Sequence, residues 1–171
     1  MNIDHQSAIL EKCTDTELLE LFSTAPFTNI HQKDSYGKTL LYIACENNNY
    51  NACKIFIEKG ADVNTTCQTQ KSRTPLLQQC YMSNPSQSIV KLLLDSGAGV
   101  NVKDEDGVSP LIAACYSNKN DTAIKMLLEY GADKTEKYKG NSAYQYCNTT
   151  IQNNYPETYK VLYNAGHSGW W

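Results

Sequence analysis

Long apolar segments are absent from this 171-residue sequence, and its N-terminus, MNIDHQSAILEKCTDTE, has neither a basic start nor an unbroken apolar stretch. A membrane span needs about 18 consecutive apolar residues, and a secretory signal needs a basic start followed by an apolar run. We therefore expect no membrane segment. We also expect the chain to stay where it is made, or to leave by a route that uses no N-terminal signal.

Clustered positive charge is also missing. The formal net charge is −3, and Arg73 is the only arginine among the fifteen basic residues. The stretch with the densest lysines, 134–139, also contains Glu136. A nucleic-acid surface must neutralise many phosphates with a concentrated positive field, so we expect no nucleic-acid partner.

Metal-ligand spacing and catalytic motifs are not visible either. The seven cysteines form no C-x-x-C pair, and their odd number favours a reducing compartment, the cytoplasm, over a disulfide framework or a zinc site. The three histidines, His5, His31 and His167, lie far apart in the sequence. We therefore predict that the chain is not an enzyme and has no catalytic residue, no metal and no cofactor.

What the sequence does contain is an internal repeat. Leucine-rich runs end in glycine at Gly60, Gly97, Gly131 and Gly166, which are 37, 34 and 35 residues apart. A second marker precedes each run: TLLYIAC at 39–45, TPLLQQC at 74–80, SPLIAAC at 109–115 and SAYQYCN at 142–148. Two markers with one period predict a repeat protein, and a hydrophobic fraction of 41% can supply its continuous core.

Local chemistry predicts the shape of each unit. Hydroxyl residues suited to capping a helix N-terminus open the second marker at Thr39, Thr74, Ser109 and Ser142. Pro75 and Pro110 follow two of them, at a helix position where a missing N–H has no cost. We expect each of the four glycines to end a second helix in the left-handed conformation. The predicted unit is helix, turn, helix, loop.

These residues resemble the ankyrin repeat. DSYGKTLLYIAC and DEDGVSPLIAAC resemble its D-x-x-G-x-T-P-L-x-x-A-A opening, and GADVN resembles its closing signature. The resemblance implies an all-α solenoid of about four repeats at 34–66, 67–101, 102–134 and 135–166. A degenerate N-terminal helical cap would occupy 1–33, and 167–171 would form a C-terminal tail.

The second and last repeats depart from the pattern. Thr69 and Ser72 replace the Asp and Gly of the loop tip, Gln79 replaces a small Ala, and MSNPSQS adds about two residues between the helices. In the last repeat TTIQNNYP is expected to be a lengthened connection between helices. The sequence alone leaves open whether the second repeat is a specificity feature or drift.

The resemblance implies that the loop tips and the exposed ends of the first helices line a concave face that binds another protein. Carried over residue by residue, the candidate partner-binding residues are Tyr36, Lys38, Lys71, Arg73, Tyr81, Met82, Glu105, Asp106, Tyr116 and Tyr138. The same implication extends to Ser35, Glu46, Asn47, Gln70, Val108, Ser117, Lys139 and Asn141. The Tyr and Met residues would form a binding stripe, although some rings could instead cover neighbouring helices.

Three other features have a structural interpretation beside a functional one. Cys45, Cys80 and Cys115 recur at one position of the repeat, so we interpret them as small buried hydrophobic residues. Asn64 and Asn101 are interpreted as turn residues that bond neighbouring backbone, while the resemblance implies that such residues can be hydroxylated. Trp170 and Trp171 would either cover the end of the core or anchor a partner.

The functional expectation is a protein–protein interaction scaffold that acts as an adaptor or inhibitor and is a monomer when free. One setting is a secreted effector or virulence factor that acts in the host cytoplasm. The other is a resident regulator or immunity protein that blocks a catalytic partner. A modifying enzyme built on a repeat scaffold is a less favoured alternative, and self-assembly is another.

Overall fold

The computed structural model of this protein describes residues 29–117, 121–147 and 149–167. All but the last five residues of the expected N-terminal cap, as well as Trp170 and Trp171, lie outside these residues. The described helices are α1 Leu40–Glu46, α2 Tyr50–Glu58, α3 Pro75–Tyr81, α4 Gln87–Asp95, α5 Pro110–Ser117, α6 Thr122–Glu129, α7 Ala143–Tyr146, α8 Thr149–Asn154 and α9 Pro156–His167. A 3₁₀ turn covers Gln68–Gln70.

Strand structure in the described residues is limited to one small hairpin. Strand β1, Lys137–Tyr138, pairs antiparallel with β2, Asn141–Ser142. The loop before α3 adds a single antiparallel bridge between Cys67 and Arg73. The predicted all-α solenoid is therefore confirmed, with its loops folded back as short hairpins.

The helices begin where the hydroxyl residues predicted. Thr39, Thr74 and Ser109 each accept a hydrogen bond from the backbone N–H three residues later, at 3.3, 3.2 and 3.4 Å. Ser142 forms a capping box with Gln145. Each cap satisfies an N–H that has no partner within the helix, which fixes the start of α1, α3, α5 and α7.

Three of the four predicted glycine helix ends are confirmed. Gly60, Gly97 and Gly131 each have φ +86°, the left-handed conformation that closes a helix without a Cβ clash. The prediction was wrong for Gly166, which lies inside α9. There the missing side chain serves packing, because an added Cβ would lie 2.8 Å from Tyr144 Cε1.

The last repeat is more helical than the sequence indicated. The lengthened connection predicted at TTIQNNYP contains α8, and Ile151 on this helix is buried. Helix α8 packs on α9, and α9 packs on α7. The buried Ile151 explains why the segment folds as a helix, because an apolar side chain can join the core only from a fixed position.

The core lies between two rows of helices. The first helices of successive units, α1, α3, α5 and α7, pack one on the next, and α2, α4 and α6 form the second row. Cys45, Cys80 and Cys115 are fully buried within the core, which confirms their interpretation as hydrophobic residues. Burial raises the pKa of the Cys80 thiol to about 12, so it is uncharged at neutral pH.

Asn64 and Asn101 bond the backbone of the following repeat, in agreement with their interpretation as turn residues. Asn64 Nδ2 donates to the carbonyl of Gly97 at 3.2 Å, and its Oδ1 accepts from the N–H of Gly99 at 2.8 Å. Asn101 makes the same pair of bonds to Gly131 and Asp133. These bonds hold the first repeat against the second and the second against the third.

Candidate protein-binding groove

The loops before α3 and α5 are joined at their tips. Lys71 forms an ion pair with Asp106, and Ser72 Oγ donates to Glu105 Oε1 at 2.5 Å. The N–H of Glu105 also donates to the carbonyl of Lys71 at 3.0 Å. Side-chain and backbone bonds together fix this edge of the groove, so binding need not order it.

Ser72 holds a conformation that the other loops assign to glycine. Its φ is +56°, whereas Gly37, Gly107 and Gly140 have φ +76°, +82° and +82° at the same loop position. A left-handed residue with a Cβ carries steric strain. The hydrogen bond from Ser72 to Glu105 offsets that strain.

One pair of positions differs between repeats in a way that shapes the groove. The residue before the capping hydroxyl faces the residue after the buried cysteine. In the first repeat this pair is the ion pair Lys38–Glu46, at 2.5 Å. In the second, the Arg73 guanidinium lies 3.7 Å from the Tyr81 ring centroid. In the third repeat Val108 is too short to hold its counterpart, Tyr116, which is 69% exposed.

Tyr81 is fixed by a second contact in addition to Arg73. Its hydroxyl donates to Asp104 Oδ2 at 2.9 Å, and the Asp104 side chain is completely buried. Burial and this carboxylate raise the pKa of Tyr81 above its ordinary value, so the hydroxyl remains a donor. The ring therefore forms a fixed wall between the second and third repeats.

A cavity of about 450 Å³ opens beside Tyr116, and we call it the groove cavity. Six of the ten candidate residues line it: Lys71, Arg73, Tyr81, Asp106, Tyr116 and Tyr138. Val108 and Lys139 from the wider candidate set also line it, together with Ile112, Ala113 and Tyr146. Its walls come from α3, α5, α7 and the loops before them, so it spans three repeats.

Comparison with known protein families agrees with this architecture. The family model for ankyrin repeats in three copies matches residues 5–104 and 76–169. The chain belongs to the ankyrin repeat family. Ankyrin repeats generally mediate protein–protein interaction, and the groove cavity lies among their hairpin loops and first helices.

Several known proteins are similar in sequence to this chain. The human transient receptor potential cation channel subfamily A member 1 is 29% identical over 135 residues, covering 78% of this chain and 11% of the channel. A putative ankyrin repeat protein of fowlpox virus is 32% identical over 119 residues, 70% of this chain and 26% of its own length. One from Rickettsia bellii is 30% identical over 117 residues, 56% and 48% respectively. The chain thus spans less than half of each relative.

The four other candidate residues lie outside the groove cavity. Tyr36 is 66% exposed on the first loop, and Lys38 is held by Glu46. Glu105 accepts the Ser72 hydroxyl, and Met82 Sδ lies 3.5 Å from Gln79 Nε2. The aromatic residues that the structure brings together are therefore those of the second, third and fourth ankyrin repeats.

Tyr146 is a lining residue that the candidate set lacked. Its hydroxyl donates to the carbonyl of Tyr138 at 2.6 Å, and the two ring centroids are 5.8 Å apart. When the four markers are superimposed from their first residues, Tyr146 occupies the position of Ala113, which also lines the cavity. The signal was therefore present at the fifth position of the third and fourth markers, where the small Ala113 beside the large Tyr146 leaves space.

The arrangement supports binding through apolar contact, hydrogen bonds and charge. Within residues 29–117, 121–147 and 149–167, no three or more His, Cys, Asp or Glu side chains converge as a metal site would require. Among the helices described, none has the length and apolar character needed to span a bilayer. Tyrosine and arginine side chains, which line this cavity, are enriched at protein-binding surfaces.

Proposed function

We propose that this ankyrin repeat chain is an adaptor or inhibitor that binds a folded partner protein on its concave groove, with the groove cavity at the centre. The observation that supports this most directly is Tyr116, a large ring that is 69% exposed at the mouth of a preformed cavity. Desolvating such a ring on binding contributes strongly to affinity, because aromatic side chains dominate interface energetics.

The rigidity of the groove supports a role in specific binding. The ion pair Lys71–Asp106 and the bond between Ser72 and Glu105 join two loop tips before any partner arrives. The affinity of a preformed surface is not reduced by the entropy of ordering its loops. A solenoid face of this kind can bury the roughly 1,200 to 2,000 Å² of a specific complex.

Such a protein acts by occupying a surface of its partner, and two biological settings are consistent with that action. One is a secreted effector or virulence factor in a host cytoplasm, and the other is a resident cytoplasmic regulator or immunity protein. Similar proteins occur in a poxvirus, a bacterium and animals, so their distribution does not separate the settings. Both settings use the same groove and require no cofactor, and the free protein would be a monomer.

A modifying enzyme on a repeat scaffold is the alternative function from another class. It would require a nucleophile or base in a cavity. The groove cavity is lined by tyrosines, cations and one carboxylate, and no cysteine or histidine lines it. Its single carboxylate, Asp106, is already paired with Lys71, and no histidine or cysteine stands beside the tyrosines, so binding is the better supported function.

The test compares three forms of the chain by affinity capture from candidate lysates. These are the unchanged protein, Tyr116→Ala in the groove, and Tyr50→Ala as a matched exposed tyrosine on α2. We expect one protein to be captured by the unchanged chain and by Tyr50→Ala, and lost with Tyr116→Ala. Calorimetry with the purified partner should then show a loss of at least about tenfold in affinity for Tyr116→Ala.

Equal capture by all three forms would mean that the binding interface lies outside the groove. Circular dichroism melts of each form establish that the variants remain folded, which is expected because Tyr116 is mostly solvent-exposed. Light scattering of the free chain tests whether it is a monomer. Concentration-dependent growth would instead support self-assembly.

A further inference from the structure

Charge is distributed unevenly between the groove cavity and the rest of the chain. Lys71, Arg73 and Lys139 line the cavity with a single carboxylate, Asp106, whereas the formal net charge of the whole chain is −3. The cavity is therefore a positively charged site on a negatively charged protein. Complementarity of charge favours an occupant that is itself acidic.

Two of the three cations are only partly compensated by the chain itself. The Nε of Arg73 is 3.7 Å from Asp104 Oδ2, which already accepts the Tyr81 hydroxyl, and this buried Nε has no hydrogen-bond acceptor among the described residues. Lys139 has no carboxylate within 4.0 Å of its Nζ in the described part of the chain. Its Nζ instead lies 5.1 Å from the Tyr138 ring centroid.

The rest of the cavity is apolar. Val108, Ile112 and Ala113 form its buried floor, and its accessible apolar surface comes from the rings of Tyr116, Tyr138 and Tyr146. An occupant that carried only charged groups would leave this apolar surface in contact with water. An ammonium without a carboxylate partner beside an apolar surface favours an occupant that has a carboxylate next to an apolar group.

We infer that the groove cavity receives an extended segment of the partner protein in which an Asp or Glu side chain stands beside an aliphatic or aromatic side chain. The carboxylate pairs with Lys139, and the apolar side chain packs on the rings of Tyr116 and Tyr138. This inference rests on the proposed function, because it specifies the chemistry of the partner at the same groove. It adds that a short linear segment is sufficient for binding.

The experiment selects random twelve-residue peptides from a phage-displayed library on the immobilised full chain. We expect enriched sequences in which an acidic residue adjoins an apolar one. Synthetic fluorescent copies are then titrated by anisotropy beside copies with Asp→Asn or Glu→Gln. The amide copies should bind at least about tenfold more weakly, since charge-assisted hydrogen bonds are roughly twice as strong as neutral ones. Raising the salt concentration should weaken only the acidic peptides.

Substitutions in the protein test whether Lys139 is the cation that binds the peptide carboxylate. Lys139→Gln should weaken the acidic peptide at least about fivefold and leave its amide copy unchanged, since the lost contact is electrostatic. Lys54→Gln, which removes an exposed cation on α2, is the matched control and should bind as the unchanged chain does. Because Lys139 has φ +49°, Lys139→Asn provides a second neutral variant that tolerates this backbone conformation.

Four outcomes would overturn the inference. They are enrichment of peptides without acidic residues, equal binding of amide and acidic copies, unchanged binding by both Lys139 variants, or no enrichment at all. If the selected peptides are lost with Tyr116→Ala but not with the Lys139 variants, the groove remains the binding surface and only the acidic chemistry fails. Self-association that the peptides abolish would assign the cavity to a second copy of the chain.

Discussion

The second and third ankyrin repeats fill the same buried position with different side chains. Gln79 is completely buried, its Nε2 donates to the carbonyl of Cys45 at 2.5 Å and to Asn48 Oδ1 at 3.0 Å, and its Oε1 accepts from the N–H of Ser86 at 3.0 Å. Its counterpart in the third repeat is Ala114, which is equally buried and has no polar group to satisfy. Gln79 and the segment with the extra residues therefore form one unit, which argues against drift.

The same two repeats also differ at the groove. Tyr81 and Tyr116 occupy equivalent positions, but Arg73 and Asp104 hold Tyr81, whereas Tyr116 stands beside Val108 and is largely exposed. One tyrosine is a wall and the other is available to a partner. The comparison shows that a repeat position has no fixed role, because its role depends on the residue that faces it.

The largest expected effect comes from Ala114→Gln, which places the side chain of the second repeat into the third. The third repeat has no inserted segment to accept the amide, so the change both overfills the core and buries unpaired polar atoms. We expect the free energy of unfolding to fall by about 4 kcal/mol, summing the typical costs of overpacking and of an unsatisfied buried group. Urea unfolding measures it.

Ser117→Gln at the half-buried end of the same helix is the control for this change, and it should cost less than about 0.5 kcal/mol. A stability of Ala114→Gln close to that of the unchanged chain would mean that the third repeat can accommodate Gln. The two repeats would then not be specialised at this position.

The reverse change, Gln79→Ala, should cost somewhat less. It leaves the Ser86 N–H without its partner, removes the bonds that Gln79 makes to the Asn48 amide oxygen and the Cys45 carbonyl, and opens a small cavity. We expect a loss of about 3 kcal/mol in the free energy of unfolding, from broken hydrogen bonds and lost packing. Hydrogen exchange should show faster exchange at the N–H of Ser86 than in the unchanged chain.

Little or no loss of stability in Gln79→Ala would contradict this account. It would indicate that Gln79 in the irregular second repeat is a product of neutral drift. The variant Ala44→Gln, which tests the same position in the first repeat, should be as destabilising as Ala114→Gln because Ala44 is also completely buried.

The local elements and the period could be predicted from the sequence, because they depend on short-range chemistry. Thr39, Thr74 and Ser109 cap helices through atoms three residues away, so no knowledge of the fold was needed to place them. Gly166 was misplaced because the same rule assumes a loop after the helix. In the last repeat the helix continues, and Tyr144 packs against the glycine.

The groove cavity could be predicted only in part. The resemblance to ankyrin repeats placed Tyr81, Tyr116 and Tyr138 on one face, and the structure brings these three together. The cavity itself depends on Val108 and Ala113 being small, and a pattern that marks large side chains does not detect missing volume. The hydrogen bond between Gln79 and Ser86 could not be predicted either, because the sequence does not show which loop a buried amide can reach.

A moderate effect is expected where the two tyrosines differ. Tyr81→Phe removes the hydroxyl that donates to the buried Asp104 and should lower the free energy of unfolding by about 1.5 kcal/mol, the usual scale for a hydrogen bond to a charged group. Tyr116→Phe should change stability by less than about 0.5 kcal/mol, because its ring is mostly in water. Thermal melts of both variants measure the difference. Equal effects of the two substitutions on stability would mean that the hydrogen bond from Tyr81 to Asp104 does not stabilise the fold.

The smallest expected effect concerns the ion pair that joins the two repeats at their loop tips. The hydrogen bond from Lys71 holds the pKa of Asp106 below its ordinary value, and the carboxylate raises the pKa of Lys71. A lowered carboxyl pKa adds stability that is fully present above the unfolded pKa of about 3.9 and is lost as the pH falls through the folded pKa. An NMR titration of the Asp106 carboxyl carbon should therefore show a midpoint below 3.9 that rises toward it in Lys71→Gln, while Lys54→Gln leaves it unchanged. A midpoint that does not move in Lys71→Gln would show that the loop tips are joined by the Ser72–Glu105 bond and the backbone bond from Glu105 to Lys71, without a contribution from the charge pair.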